Sequence, residues 1–196
     1  APGSQRQYQC LELMKEPDAY ILSCSMLLTV VSGLFIAGRY KMVAQRHFSD
    51  ADRFFSVLGS VASLFNGAGR IVFGLALDKF GCFATLVVLS TSTSALLLTL
   101  ALAPETKGLF FLVICLVLFL FGGNFATYPA LTADIFGATT AGPNYGLVFM
   151  LYGFGSFAIM LWLSKLTTSS QIFLSCAALS SGGTVSVIIL WARRLR

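Results

Sequence analysis

Charge is what this sequence has least of. Only 11% of its 196 residues are Asp, Glu, Lys or Arg, while 57% are hydrophobic, against about 25% charged in a typical soluble domain. Water could not cover a surface of that composition, which argues against a soluble helical domain. Histidine occurs once, at His47, in a polar loop without a second ligand beside it. The five cysteines, Cys10, Cys24, Cys82, Cys115 and Cys176, form no Cys-x-x-Cys pair. Cys24, Cys115 and Cys176 fall inside apolar runs, so they read as small packing residues and not as metal ligands or disulfide partners. No Asn-x-Ser/Thr sequon occurs, and no His-Glu-x-x-His, Gly-x-Ser-x-Gly or paired aspartates lie within an apolar run. An enzyme is therefore not expected, and neither a metal nor a cofactor. The net charge of +5 comes from thirteen Lys and Arg spread over short loops and the C-terminal end. Without a basic patch this is not a nucleic-acid footprint; it reads as membrane topology and contact with anionic lipid. The chain also opens on a polar stretch without an initiator Met or a signal sequence, and a trimmed fragment is the expectation.

What is abundant is long apolar sequence. A helix needs about 20 mostly apolar residues to cross roughly 30 Å of hydrocarbon, and six stretches qualify: 19–38, 54–77, 82–103, 108–129, 145–163 and 172–192. They are continuously apolar, whereas barrel strands alternate over about 10 residues. The expected fold is an all-α, integral, multi-pass membrane protein with six transmembrane helices in one bundle. An even number of spans puts both termini on one side; Arg193, Arg194 and Arg196 favour the cytoplasm, while Arg39, Lys41, Arg46 and Arg53 in the first loop pull the other way. A short echo, Asp78-Lys79-Phe80-Gly81 and Asp134-Ile135-Phe136-Gly137, follows the second and fourth spans and is set aside as coincidence.

The second span carries the most chemistry. Gly59, Ser63 and Gly67 recur every fourth residue and predict a helix-packing seam. Asn66 and Arg70, also four apart, place an amide and a guanidinium on one side of the same helix. An Arg inside a membrane helix costs about 2.5–3.5 kcal/mol on insertion scales. Two readings are open: Arg70 is an anion-binding group in a water-filled pathway, or it snorkels to the helix end and pairs with Asp78. Similarly, Tyr145, Phe149, Tyr152 and Ser156 share a face of the fifth span, as packing or as a binding wall. Asn124 and Tyr128, four apart on the fourth, are candidates for the same cavity or for interhelical hydrogen bonds.

Gly74, Asp78, Lys79 and Gly81 stand in a short loop between two spans and resemble the Gly-x-x-x-Asp-(Arg/Lys)-x-Gly signature of the major facilitator superfamily. The basic pair that usually follows is replaced by Cys82-Phe83-Ala84. The run from Gly122 to Gly137 and the Gly142-Pro143-Asn144-Tyr145-Gly146 segment are similar to the oxalate/formate antiporter branch, relatives of the monocarboxylate transporters. The Asn66/Arg70 helix and the entry at Met14-Lys15-Glu16-Pro17 extend the likeness over nearly the whole chain.

This resemblance implies the C-terminal half of a facilitator. Residues 1–18 are then the remnant of a cytoplasmic loop between bundles, 19–192 the bundle equivalent to helices seven to twelve, and 193–196 a basic cytoplasmic end. It further implies a missing N-terminal six-helix bundle as partner and a small organic anion bound between the halves. Arg70 matches the helix-eight Arg that neutralises a carboxylate, and Asn66, Asn124, Tyr128, Tyr145, Phe149 and Tyr152 complete the candidate substrate site. Gly74, Asp78, Lys79 and Gly81 form the gating loop, whose Asp meets the positive end of a helix across the bundle interface. Oxalate-carrying members also use a Lys on helix eleven; here 145–163 has no basic residue and Lys165 lies at its far end. A monocarboxylate-like solute carried by alternating access is the reading this favours. The alternative is a truncated, transporter-like scaffold or receptor that moves nothing.

Overall fold

A computed structural model describes residues 8–45, 48, 52–102 and 106–195. Arg46, His47, Arg196 and the first seven residues, which bear on the loop, topology and terminal expectations above, lie outside these. The described elements are helices: α1 (Cys10–Leu13), α2 (Pro17–Ala44), α3 (Asp52–Phe80), α4 (Cys82–Leu102), α5 (Lys107–Phe136), α6 (Ala141–Ser164) and α7 (Ser169–Arg194). α2 to α7 are each long and apolar enough to cross a membrane.

The helices outrun the apolar stretches because hydrophobicity marks the oil, while backbone hydrogen bonding continues into the polar boundary. The clearest case is α5. The fourth apolar run stops at Pro129, yet the helix passes through it to Phe136. A membrane helix tolerates the missing N–H when neighbouring helices and hydroxyl groups re-satisfy the backbone. Thr127 and Thr132 flank the proline and donate back to the carbonyls of Gly123 and Tyr128, each at 2.8 Å.

α2, α4, α5 and α7 form the interior. α4 lies along α7, α2 packs on α7, α5 and α6, and α3 rests chiefly on α5. Lipid supplies no hydrophobic drive between helices, so close packing and hydrogen bonds must hold them. Hydroxyl groups do this along α4 and α7: Ser180 Oγ donates to the Ser90 carbonyl at 2.9 Å and Thr184 Oγ1 to Ser90 Oγ at 2.8 Å. Ser32 Oγ on α2 donates to the Cys176 carbonyl at 2.8 Å.

Successive helices alternate in direction, so the start of α2, the α3–α4 turn, the end of α5, the start of α6 and the end of α7 share one end of the bundle. Asp18 bridges there to Arg193 and Arg194, at 3.0 Å each. The stretch before α2 is ordered across this end: Tyr8 N–H donates to the Phe136 carbonyl at 3.1 Å, and Asn144 Nδ2 to the Tyr8 carbonyl at 3.0 Å. Leu13 of α1 is fully buried. α3 and α6 are the least buried of the six spans, leaving an open side to the bundle.

Candidate functional site

The site starts from the contact that fixes α3. The face that packs on α5 is not Gly59, Ser63 and Gly67: a side chain on Gly59 would meet the Tyr40 hydroxyl of α2, but Ser63 and Gly67 are exposed, and nothing stands within 4 Å of where a Gly67 side chain would be. The seam is Ala62, Asn66, Gly69 and Phe73. A side chain on Gly69 would collide with the Phe119 carbonyl, and one on Gly122 with the Asn66 carbonyl. The two backbones thus meet reciprocally through two glycines, one on each helix. Asn66 Nδ2 donates across the same contact to the Leu118 carbonyl at 3.1 Å. Both faces of α3 carry small residues, and only the partner's position distinguishes them.

Arg70 follows Gly69 directly and therefore emerges at the edge of this seam. Its guanidinium carbon lies 5.4 Å from the centre of the Phe125 ring of α5, an attraction worth about 0.5–2 kcal/mol. Among the described residues Arg70 makes no ion pair; the acidic bridges belong to Asp18, and Asp78 is not its partner. Nor does a hydrogen bond to any described residue occupy its donors. A fork of five N–H groups thus stands on an aromatic ring, exposed on the open side of the bundle.

Phe125 connects Arg70 to the α6 stripe. Its ring is 5.0 Å from Phe121 and 6.5 Å from Phe149, and Phe149 lies 5.8 Å from Tyr145 and 5.3 Å from Tyr152. The Arg70 charge is within electrostatic reach of the Tyr145 hydroxyl. Tyr152 is buried beneath, Tyr145 half-buried, and Phe149 is 41% exposed. Gly155 sets the stripe in place by letting Leu27 of α2 press against the α6 backbone.

The structure therefore gathers Arg70, Tyr145, Phe149 and Tyr152 into one cluster, with Asn66 holding the helix that carries the charge. Asn124 and Tyr128 sit elsewhere, both buried. Asn124 Nδ2 donates to the Leu120 carbonyl at 3.0 Å, and the Tyr128 hydroxyl lies 3.5 Å from Ser25 Oγ, towards α2. Sequence reasoning missed Phe121 and Phe125. Their spacing of four was visible, but their place beside Arg70 depends on a contact between helices far apart in the chain.

No family model matches the chain. It is 29% identical over 154 residues to the uncharacterized MFS-type transporter YhjX of Escherichia coli (strain K12), a match covering 78% of this chain and 38% of that protein. To the oxalate:formate antiporter of Oxalobacter formigenes it is 25% identical over 144 residues, 73% of this chain and 34% of the antiporter. To apicoplast pyruvate carrier 1 of Toxoplasma gondii it is 36% identical over 95 residues, 48% of this chain and 17% of the carrier. Six apolar helices and these relatives together support major-facilitator-like membership. The chain is an integral, multi-pass membrane protein, and the matched part spans little more than a third of YhjX and about a third of the antiporter.

In this facilitator-like chain the loop that resembles the signature lies at the end of the bundle that holds the Asp18 bridges. Gly74 is half-buried on α3, and Asp78 and Lys79 are exposed on its last turn. Asp78 and Gly81 line a groove of about 520 Å³ with Cys82, Ala130, Ala133 and Asp134. The echo set aside above thus has a physical basis. α3 and α5 run side by side in the same direction and end alike, with Gly81 at φ 80° and Gly137 at φ 104°. Each glycine N–H donates back four residues, to Leu77 at 2.9 Å and to Ala133 at 3.0 Å. A side chain disfavours the left-handed region by about 1–2 kcal/mol. Gly81→Ala is accordingly expected to lower the melting temperature of the purified protein, with Gly81→Asn milder; equal melting of all three forms would contradict a strained turn.

Proposed function

We propose that this chain is the C-terminal half, equivalent to helices seven to twelve, of a secondary transporter for a small organic monoanion. An N-terminal six-helix bundle would face α3 and α6, and the two would rock about a shared central site. The observation that carries this reading is Arg70: a guanidinium without an acidic partner, set on Phe125 and turned to the open side beside an aromatic wall. Its planar fork suits bidentate pairing with one carboxylate. The relatives named for pyruvate, oxalate and formate all handle carboxylates by their printed names, which supports the solute class.

A single charge favours a monoanion. α6 has no basic residue within the aromatic stripe, and Lys165 lies past its end. A dianion here would bury a second negative charge without compensation. The Tyr145, Phe149 and Tyr152 surface would receive the apolar remainder of the solute, with the Tyr145 hydroxyl available for a hydrogen bond. The Asp78 loop would act as the gate on the Asp18 side.

The test is competition in proteoliposomes made with the full-length protein. Pyruvate is expected to inhibit uptake of a labelled monocarboxylate, its uncharged amide not to inhibit, and oxalate to inhibit more weakly. Oxalate competing as well as pyruvate would refute the monoanion assignment. An amide as effective as the acid would remove the carboxylate contact. No uptake of any carboxylate would favour a scaffold or receptor.

A further inference from the structure

A second binding feature lies on the other side of the signature loop. Gly81 is the whole connection between α3 and α4, and the two helices diverge from it, α3 towards α5 and α4 towards α7. Between them a crevice of about 310 Å³ is left, lined by Phe73, Ala76, Phe80, Ala84, Thr85 and Val88. The Thr85 hydroxyl is already committed to the Gly81 carbonyl at 2.8 Å, so the walls present carbon. Phe80 is 63% exposed at the mouth, and Lys79 Nζ stands 5.3 Å from the centre of its ring. On a helix of 3.6 residues per turn, Asp78 projects almost opposite to the line of Phe73, Ala76 and Phe80, and it faces the other groove. Phe83, next to Ala84, stacks on Trp191 with ring centres 6.0 Å apart, and indole rings favour the membrane boundary.

We propose that this crevice holds one acyl chain of an anionic phospholipid whose phosphate pairs with Lys79. A narrow carbon-walled slot accepts a hydrocarbon chain; the Lys79 cation at its mouth, with Asp78 turned away to the other groove, selects the headgroup. A zwitterionic lipid fits the slot equally well but carries a compensating positive charge, so it gains less at Lys79. A loop of the other bundle is the competing occupant, and the charge at the rim makes a phosphate the better match.

The experiment is native mass spectrometry of the full-length protein released from vesicles of phosphatidylcholine and phosphatidylglycerol in equal amounts. Wild type is expected to retain phosphatidylglycerol preferentially. Lys79→Gln, a surface change that leaves packing alone, should reduce that preference about fivefold, the effect of one basic residue near an anionic surface. Ala84→Phe, which fills the slot, should reduce retention of both lipids. Three results each overturn the proposal: no preference in wild type, a preference unchanged in Lys79→Gln, or a cysteine at position 88 that cross-links to the N-terminal bundle. None depends on the solute, so this site stands or falls separately from Arg70.

Discussion

Arg70→Ala is expected to lower uptake by the full-length transporter by on the order of 100-fold or more while the protein still inserts and folds. Removing one partner of a desolvated, hydrogen-bonded charge pair costs about 2–5 kcal/mol, and here the lost partner is the cation that stands on Phe125 beside the aromatic wall. The unliganded protein has little reason to suffer. Arg70 makes no ion pair among the described residues, and an Arg in a span costs about 2.5–3.5 kcal/mol to insert, so its loss relieves a burden. A structural role predicts the opposite pattern, with poor yield and activity falling only in step with it. Arg70→Lys separates charge from shape. The ammonium keeps the charge but cannot reproduce the two parallel N–H bonds of the fork, so uptake should fall between wild type and Arg70→Ala, chiefly through a raised KM. Arg70→Ala vesicles that saturate at the wild-type solute concentration would take Arg70 out of the site.

Why this residue could be singled out from sequence, and its neighbours could not, is a matter of range. Arg70 is conspicuous because it interrupts an apolar helix. The α6 stripe is conspicuous because Tyr145, Phe149 and Tyr152 recur at helical spacing, and their rings do touch in series. Both signals are local. Phe125 joins them only because α5 lies between α3 and α6, which no spacing within one helix encodes. Tyr128 shows the same limit in reverse: its residue type and spacing from Asn124 suit a cavity, but the twist of α5 turns it towards Ser25 on α2.

The six spans were legible from length and hydropathy, because crossing oil with unsatisfied peptide groups is prohibitive and the chain must spend about 20 apolar residues each time. Their ends were less so. Pro129 looked like a stop, yet the helix carries on through it, and the next seven residues bring Asp134 to the groove that Asp78 also lines. Likewise the Asp-x-Phe-Gly echo acquires meaning only once α3 and α5 are known to end side by side. A left-handed glycine closes each.

The setting of α3 on α5 leads to the sharpest comparison among glycines of one helix. Gly69→Ala should destabilise the protein and impair uptake, whereas Gly67→Ala, two residues earlier, should do neither. A methyl at position 69 meets the Phe119 carbonyl and one at 122 meets the Asn66 carbonyl, both backbone atoms that cannot swing aside like a side-chain tip; at position 67 it meets nothing within 4 Å. Overpacking of this kind costs about 1–3 kcal/mol. It also forces the helices apart, stretching the Asn66–Leu118 hydrogen bond of 3.1 Å in a medium where little else draws helices together. Because Arg70 is the next residue after Gly69, the same displacement moves the guanidinium off Phe125, so solute affinity should fall even in the fraction that remains folded. Gly122→Ala, which strikes the contact from the α5 side, should reproduce both losses without altering α3. Thermal unfolding of the detergent-solubilised full-length protein, with uptake normalised to folded protein, reads the two effects separately. Gly69→Ala and Gly122→Ala proteins as stable as wild type would contradict this seam, whereas harm from Gly67→Ala alone would mark a contact of the exposed α3 face with the N-terminal bundle.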